Sequence, residues 1–216
     1  MRPVQERWAR ERLVAVGYDV AVQTPLLATV GARLLWGFDV REMFAEIDRA
    51  ADLPAGTRVL DVPTGGGLVP RALPPGHGLD VVAVDLSPVM VERARALAER
   101  RGVEGVRFAV ADATAMPFPD ADFDVVLSYT GLHCFADPEA ALREFRRVLR
   151  PGGELRLTTV VRGAGRRQDD AVRMMRGLGV FGHVGTADEV RGWLGAAGFA
   201  AVEGRRMGAL AVFSAR

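Results

Sequence analysis

The sequence predicts one α/β domain built on a doubly wound, seven-stranded sheet whose last two strands form an antiparallel pair. Short apolar runs alternate with amphipathic stretches, the pattern of a parallel sheet covered by helices. A turn of three consecutive glycines, Gly65 to Gly67, joins the first such run to a helix. At 216 residues the chain can bury one good core and is short for two domains.

Taken in order, residues 1–53 carry a helical pattern broken at Gly17, Pro25 and Gly37, and form an N-terminal helical layer ahead of the first strand. Residues 54–216 form the core. The first strand closes at Asp61, the second runs Asp80 to Asp85, the third Val106 to Val110 and the fourth Val125 to Ser128. Ser87-Pro88 supplies a cap and first turn for a helix from Val89 to about Arg101. Asp137-Pro138-Glu139 starts another, which runs to about Arg150. Strand five spans Glu154 to Val160. A helix capped by Thr186, Ala187 to Ala196, precedes the closing strands, Ala201 to Met207 and Ala209 to Ser214. His77 is expected in a solvated turn, and Arg162 to Arg167 in a solvated glycine- and arginine-rich loop.

Composition narrows the function. A 49% apolar and 25% charged content is that of a soluble globular protein, and a net charge of +1 argues against a general binder of nucleic acid or membrane surfaces. All 28 basic residues are arginine, so no lysine Schiff base and no phosphate-binding lysine exists here. The single cysteine, Cys134, excludes an internal disulfide or a multi-cysteine metal site, and no metal is expected. Residues 1–12 fit no signal peptide, and no apolar run approaches the roughly 20 residues of a membrane span. The expected setting is the cytoplasm, the expected partner a small-molecule substrate, and the expected state a monomer or homodimer.

The turn after strand one separates two ligand classes. In the dinucleotide fingerprint a glycine follows the strand directly and a third glycine stands three residues after the second. Here an acid ends the strand and Pro70 stands three after Gly67, which disfavours an NAD-dependent oxidoreductase. A carboxylate at the loop mouth repels pyrophosphate and attracts a cationic amine.

Asp61-Val62-Pro63-Thr64-Gly65-Gly66-Gly67 resembles motif I of the class I S-adenosylmethionine (SAM) dependent methyltransferases, Asp/Glu-x-Gly-x-Gly-x-Gly, with Pro63 in place of the first glycine. Three further segments are similar to the same family: Ala111-Asp112-Ala113-Thr114, Met116-Pro117-Phe118-Pro119-Asp120-Ala121-Asp122-Phe123-Asp124, and Arg147-Val148-Leu149-Arg150-Pro151-Gly152-Gly153-Glu154-Leu155. The resemblance covers Arg58 to Val160 and is nearest to small-molecule methyltransferases, including those of ubiquinone and menaquinone biosynthesis. It implies a Rossmann-like fold with SAM as cofactor and S-adenosylhomocysteine (SAH) as product. Cofactor-binding residues are then expected at Asp61, Pro63, Thr64, Gly65 and Gly67. Asp85, an acid ending the second strand, is placed to accept both ribose hydroxyls. Leu86 and Met90 flank the adenine, and Asp112 and Ala113 meet its edge. Ser128 ends strand four on the same side. Tyr18, from a Tyr18-Asp19 pair, closes over the methionine end or else packs two helices together. His133, in Leu132-His133-Cys134, is the candidate general base, with a purely structural histidine as its alternative. Trp36 and Phe38 line the pocket or pack the core. The expected reaction is O-methylation of a small molecule; C- or N-methylation and a non-catalytic SAM-binding protein are the alternatives.

Overall fold

The computed structural model describes residues 24–216 together with Trp8, Val16 and Gly17, so Tyr18 lies outside the described residues. Seven strands form one sheet: β1 Arg58–Asp61, β2 Asp80–Asp85, β3 Val106–Val110, β4 Phe123–Tyr129, β5 Leu149–Val160, β6 Val202–Met207 and β7 Leu210–Ala215. Their spatial order is β3-β2-β1-β4-β5-β7-β6. The first five pair in parallel, and β7 runs antiparallel to both β5 and β6. The chain moves outward from β1 through β2 to β3, then returns to place β4 on the other side of β1. That reversal opens a crevice at the carboxyl ends of β1 and β4.

Two-residue alternation divides the strands between two cores, because both faces of a parallel sheet are covered. Val59, Val81, Val125 and Leu127 face one cluster; Leu60, Val82, Val84, Val126, Leu155 and Leu157 face the other. The helices are α1 Pro25–Gly31, continued by a π turn Ala32–Trp36, then α2 Val40–Asp48, α3 Leu68–Ala72, α4 Pro88–Arg101, α5 Pro138–Val148, α6 Arg166–Gly177 and α7 Ala187–Ala196. Within the N-terminal layer, Val40, Met43 and Ile47 of α2 pack into the same cluster as Val59, Leu68 and Leu73.

The caps follow the sequence in two cases and depart from it in one. Asp137 accepts the Ala140 N–H at 2.8 Å, and Thr186 forms a reciprocal capping box with Glu189. Ser87 makes no side-chain cap; its own N–H donates to Asp85 at 2.9 Å. Helix α5 stops at Val148, and Leu149 already pairs with Phe123, so β5 begins before the Pro151-Gly152-Gly153 turn and resumes opposite Val125 at Glu154.

Two expected loops are structured. His77 ties two turns together, its Nδ1 accepting the Leu79 N–H at 2.9 Å while Nε2 meets the Glu104 carbonyl at 2.8 Å. Arg166 opens α6, and Arg162 donates to the Val184 carbonyl and to Glu189. Helix α6 is rich in charged residues, with Ala171 and Val172 buried and Met175 partly so, which leaves few apolar positions to mark it in the sequence.

Candidate active site

The loops after β1, β2, β3 and β4 meet at the carboxyl edge of the sheet and enclose a cleft of about 900 Å³, counting the part open to solvent. The turn after β1 is held from both sides. The Val62 N–H donates to the Leu127 carbonyl of β4, and the Thr64 N–H to the Val84 carbonyl of β2. Gly65 has positive φ, +53°, and open space where a side chain would point, the condition for close approach of a ligand to the backbone.

Asp85 fastens the second loop to the first. One carboxylate oxygen accepts the Gly65 N–H at 2.9 Å and the other the Ser87 N–H at the same distance. Its side chain is buried yet lines the cleft, beside Leu86 and Met90. After β3, Asp112 accepts both the Thr114 N–H at 2.9 Å and its hydroxyl at 2.7 Å, and Ala111 to Thr114 form the facing wall. Pro63, Thr64, Gly65, Asp85, Leu86, Met90, Asp112 and Ala113 therefore come together as expected from the sequence.

Four expected residues stand outside the cleft lining. Gly67 is a packing glycine: a Cβ there would lie 3.0 Å from Leu97 and 3.2 Å from the Ala94 backbone of α4, at a φ of +100°. Ser128 is wholly buried and shares the alternation of Val126, so it faces the sheet side opposite to Asp61, with its hydroxyl lacking a hydrogen bond. Asp61 lies behind the wall. Burial pushes its carboxyl up to about 7; the nearby Thr64 hydroxyl opposes this and the Asp85 charge adds to it. Neither the Asp61 Oδ2 nor the Thr64 Oγ1 makes a hydrogen bond of full geometry, and both are buried.

His133 is the fourth. It sits in a 3-10 turn, Leu132–Cys134, with 1% of its surface exposed. Its Nδ1 accepts the Val160 N–H at 3.1 Å and lies 3.2 Å from the Thr159 hydroxyl, while its ring meets Phe181 edge to face at 4.5 Å. An amide N–H is only a donor, so Nδ1 is the unprotonated nitrogen and Nε2 carries the proton. Burial lowers the imidazole to about 3, and it is neutral near pH 7.

The loop after β4 contributes residues not singled out from the sequence. Tyr129, Thr130, Phe135 and Ala136 line the cleft, as does Trp8, whose indole N–H donates to the Val180 carbonyl at 3.0 Å. Their only sequence signal is membership of the loop from Ser128 to Pro138; Trp8 has none. Thr130 has a φ of 54°, an uncommon value for a β-branched residue. Its N–H donates to the Thr158 carbonyl and hydroxyl, each at 3.0 Å. Pro63, on a cis peptide, packs against Gly131, where a Cβ would fall 2.1 Å from the proline Cδ.

Sheet order and cleft define a doubly wound α/β protein with its ligand site at the strand switch point. Residues 60–157 match the family model described as a methyltransferase domain. A demethylmenaquinone methyltransferase of Thermus thermophilus is 46% identical over 123 residues, covering 56% of this chain and 55% of that one. A 27-O-demethylrifamycin SV methyltransferase of Amycolatopsis mediterranei is 40% identical over 106 residues, 49% of this chain and 39% of that one. The crystal structure of a methyltransferase candidate from Bacillus halodurans superposes with a TM-score of 0.63 at 30% identity, covering 74% of this chain and 69% of that one. The chain spans about half, or less, of the length of those two curated relatives. The chain belongs to the class I SAM-dependent methyltransferases.

Proposed function

We propose that this chain transfers a methyl group from SAM to the hydroxyl oxygen of a small molecule. The observation that carries this reading is Asp85, pinned by two backbone N–H groups on the cleft wall between the glycine turn and Asp112. The fit to SAM rests on the open space at Gly65, where a ligand can approach the backbone closely, and on the Asp85 carboxylate that lines the cleft beside it. When bound, SAM supplies a methyl carbon already made electrophilic by its sulfonium, and the S–CH3 electron pair stays on sulfur. Asp85 would hold the ribose hydroxyls, Asp112 and Ala113 the adenine edge, and Leu86 and Met90 the adenine faces.

His133 is read as a structural and positioning group instead of a base. Its basic nitrogen is taken by Val160, and a base working at neutral pH needs a pKa near the operating pH. The chain then supplies proximity and orientation. Acceptors with an acidic hydroxyl, such as a phenol or an enol, are favoured over alcohols, and the proton leaves to water as the O–CH3 bond forms. The names of two relatives, demethylmenaquinone methyltransferase and 27-O-demethylrifamycin SV methyltransferase, support small acceptors, and the second supports oxygen.

The test is transfer from SAM labelled in its methyl group to a panel of phenols and enols. Label on oxygen with equimolar SAH is expected; label on carbon or nitrogen overturns the oxygen assignment, and failure of SAH to bind overturns the cofactor. His133→Gln is expected to keep the transfer rate within a few-fold. A loss of roughly 10²- to 10⁴-fold at unchanged SAM affinity, with the acidic limb of the pH–rate profile gone, would make His133 the base.

A further inference from the structure

A second cavity lies directly behind the loop after β4. It holds about 780 Å³, counting the part open to solvent, within the range of small-molecule sites. Its walls come from α1 and the π turn (Gly31, Leu35, Trp36), from α2 (Met43), and from the far end of the core (Met175, Phe181). Trp36 and Phe181 stack with ring centroids 5.7 Å apart. Among the described residues, no lining side chain carries a formal charge, and the lining includes His133, held neutral by burial, and Thr130.

Thr130 is the residue common to this cavity and the cofactor cleft. Its backbone is clamped by Thr158 at a φ of 54°. Its hydroxyl makes no hydrogen bond among the described residues. A strained β-branched residue persists where its surroundings over-determine it, and such positions cluster at sites of function. A charged group entering these walls would lose its hydration without gaining a partner. An apolar body bearing one hydroxyl gains burial along the walls and a hydrogen bond at Thr130.

Resting on the methyltransferase reading above, we propose that this cavity is the acceptor site, that it admits uncharged apolar molecules, and that Thr130 positions their hydroxyl at the junction with the cofactor cleft. Thr130 acts by binding and orienting, not by removing a proton. The arginines of the Arg162–Arg167 segment line neither space, so acidic acceptors are not selected by them.

The probes are 1-naphthol, naphthalene and 1-naphthalenesulfonate, titrated by fluorescence into the full chain with and without saturating SAH. Saturable binding of 1-naphthol that persists with SAH present is expected, about fivefold tighter than naphthalene, with no binding of the sulfonate. Thr130→Val should abolish the naphthol advantage and Thr130→Ser should keep it. Gly31 lines the cavity and a Cβ there meets nothing within 4 Å, so Gly31→Phe adds bulk at the cavity wall without a clash at its root. That variant should bind 1-naphthol at least tenfold more weakly at unchanged SAH affinity, which also reports that it folds. Displacement of 1-naphthol by SAH, equal affinity for the sulfonate, or indifference to both Gly31→Phe and Thr130→Val would overturn the proposal. Naphthol binding in a protein that does not bind SAH would instead remove the methyltransferase reading and leave the cavity site standing.

Discussion

The cofactor cleft and the cavity behind Thr130 share one residue and differ in how they are built. The cleft is made of loops that follow successive strands, and its polar groups are tied to backbone: Asp85 to Gly65 and Ser87, Asp112 to Thr114. The cavity is made of apolar side chains drawn from Ala28 to Leu210, with Thr130 and His133 as its polar points. A polar site needs acids and glycines at set positions in a loop, and an apolar one needs only volume and shape. The first kind of site tolerates few substitutions, while the second can change its ligand by repacking.

The comparison is broken most severely at the seam between the two. Gly131→Ala would drive a methyl group into the Pro63 ring, at 2.1 Å from Cδ, and should cost about 1–3 kcal/mol of stability in urea denaturation while weakening SAH binding. Unchanged stability and affinity would mean that Pro63 yields and that the glycine turn is not fixed by this contact. Asp85→Ala comes next. Loss of charge-assisted bonds to ribose, together with the Gly65 and Ser87 anchors, should weaken SAH by about 1.5 kcal/mol or more in calorimetry, with 1-naphthol binding unaffected. A parallel loss of both ligands would show that the two spaces act as one.

The smallest effect is the pH dependence of stability without ligand. Asp61 has a folded pKa of about 7 against an ordinary 3.8, so it contributes stability present below 3.8 and lost as pH rises through 7. His133 has a folded value of about 3 against 6.5, so the unfolded chain binds the extra proton and stability rises with pH up to 6.5. Between about pH 4.5 and 6.5 the two slopes oppose each other, and the wild-type protein should be nearly flat. Asp61→Asn should leave stability rising with pH, and His133→Gln should leave it falling. Equal curves for both variants would refute the buried, oppositely shifted pair.

What the sequence made legible follows the same division. That Asp85, Leu86, Met90 and Asp112 line one cleft was legible because each ends or closely follows a strand at the same edge of the sheet. Strand β3 and helix α7 match their expected bounds for the same local reason. Asp61, Gly67 and Ser128 fall outside the lining because side-chain direction and helix contacts decide which residue of a motif faces the ligand, and a motif does not record either. Of the second cavity, Trp36 and Phe38 were legible as pocket-lining candidates; Thr130 and the remaining walls were not, because they join α1, the π turn, β5 and Phe181, and no periodicity links positions so far apart. Helix α6 was hidden by its scarcity of buried apolar residues.

One titration reaches the central claim most directly, calorimetry of SAH and of NAD into the unmodified chain. The expected result is one SAH per chain, a higher melting temperature when it is bound, and no heat from NAD. Binding of NAD with no response to SAH would contradict the assignment of Asp85 and Asp112 to a SAM site.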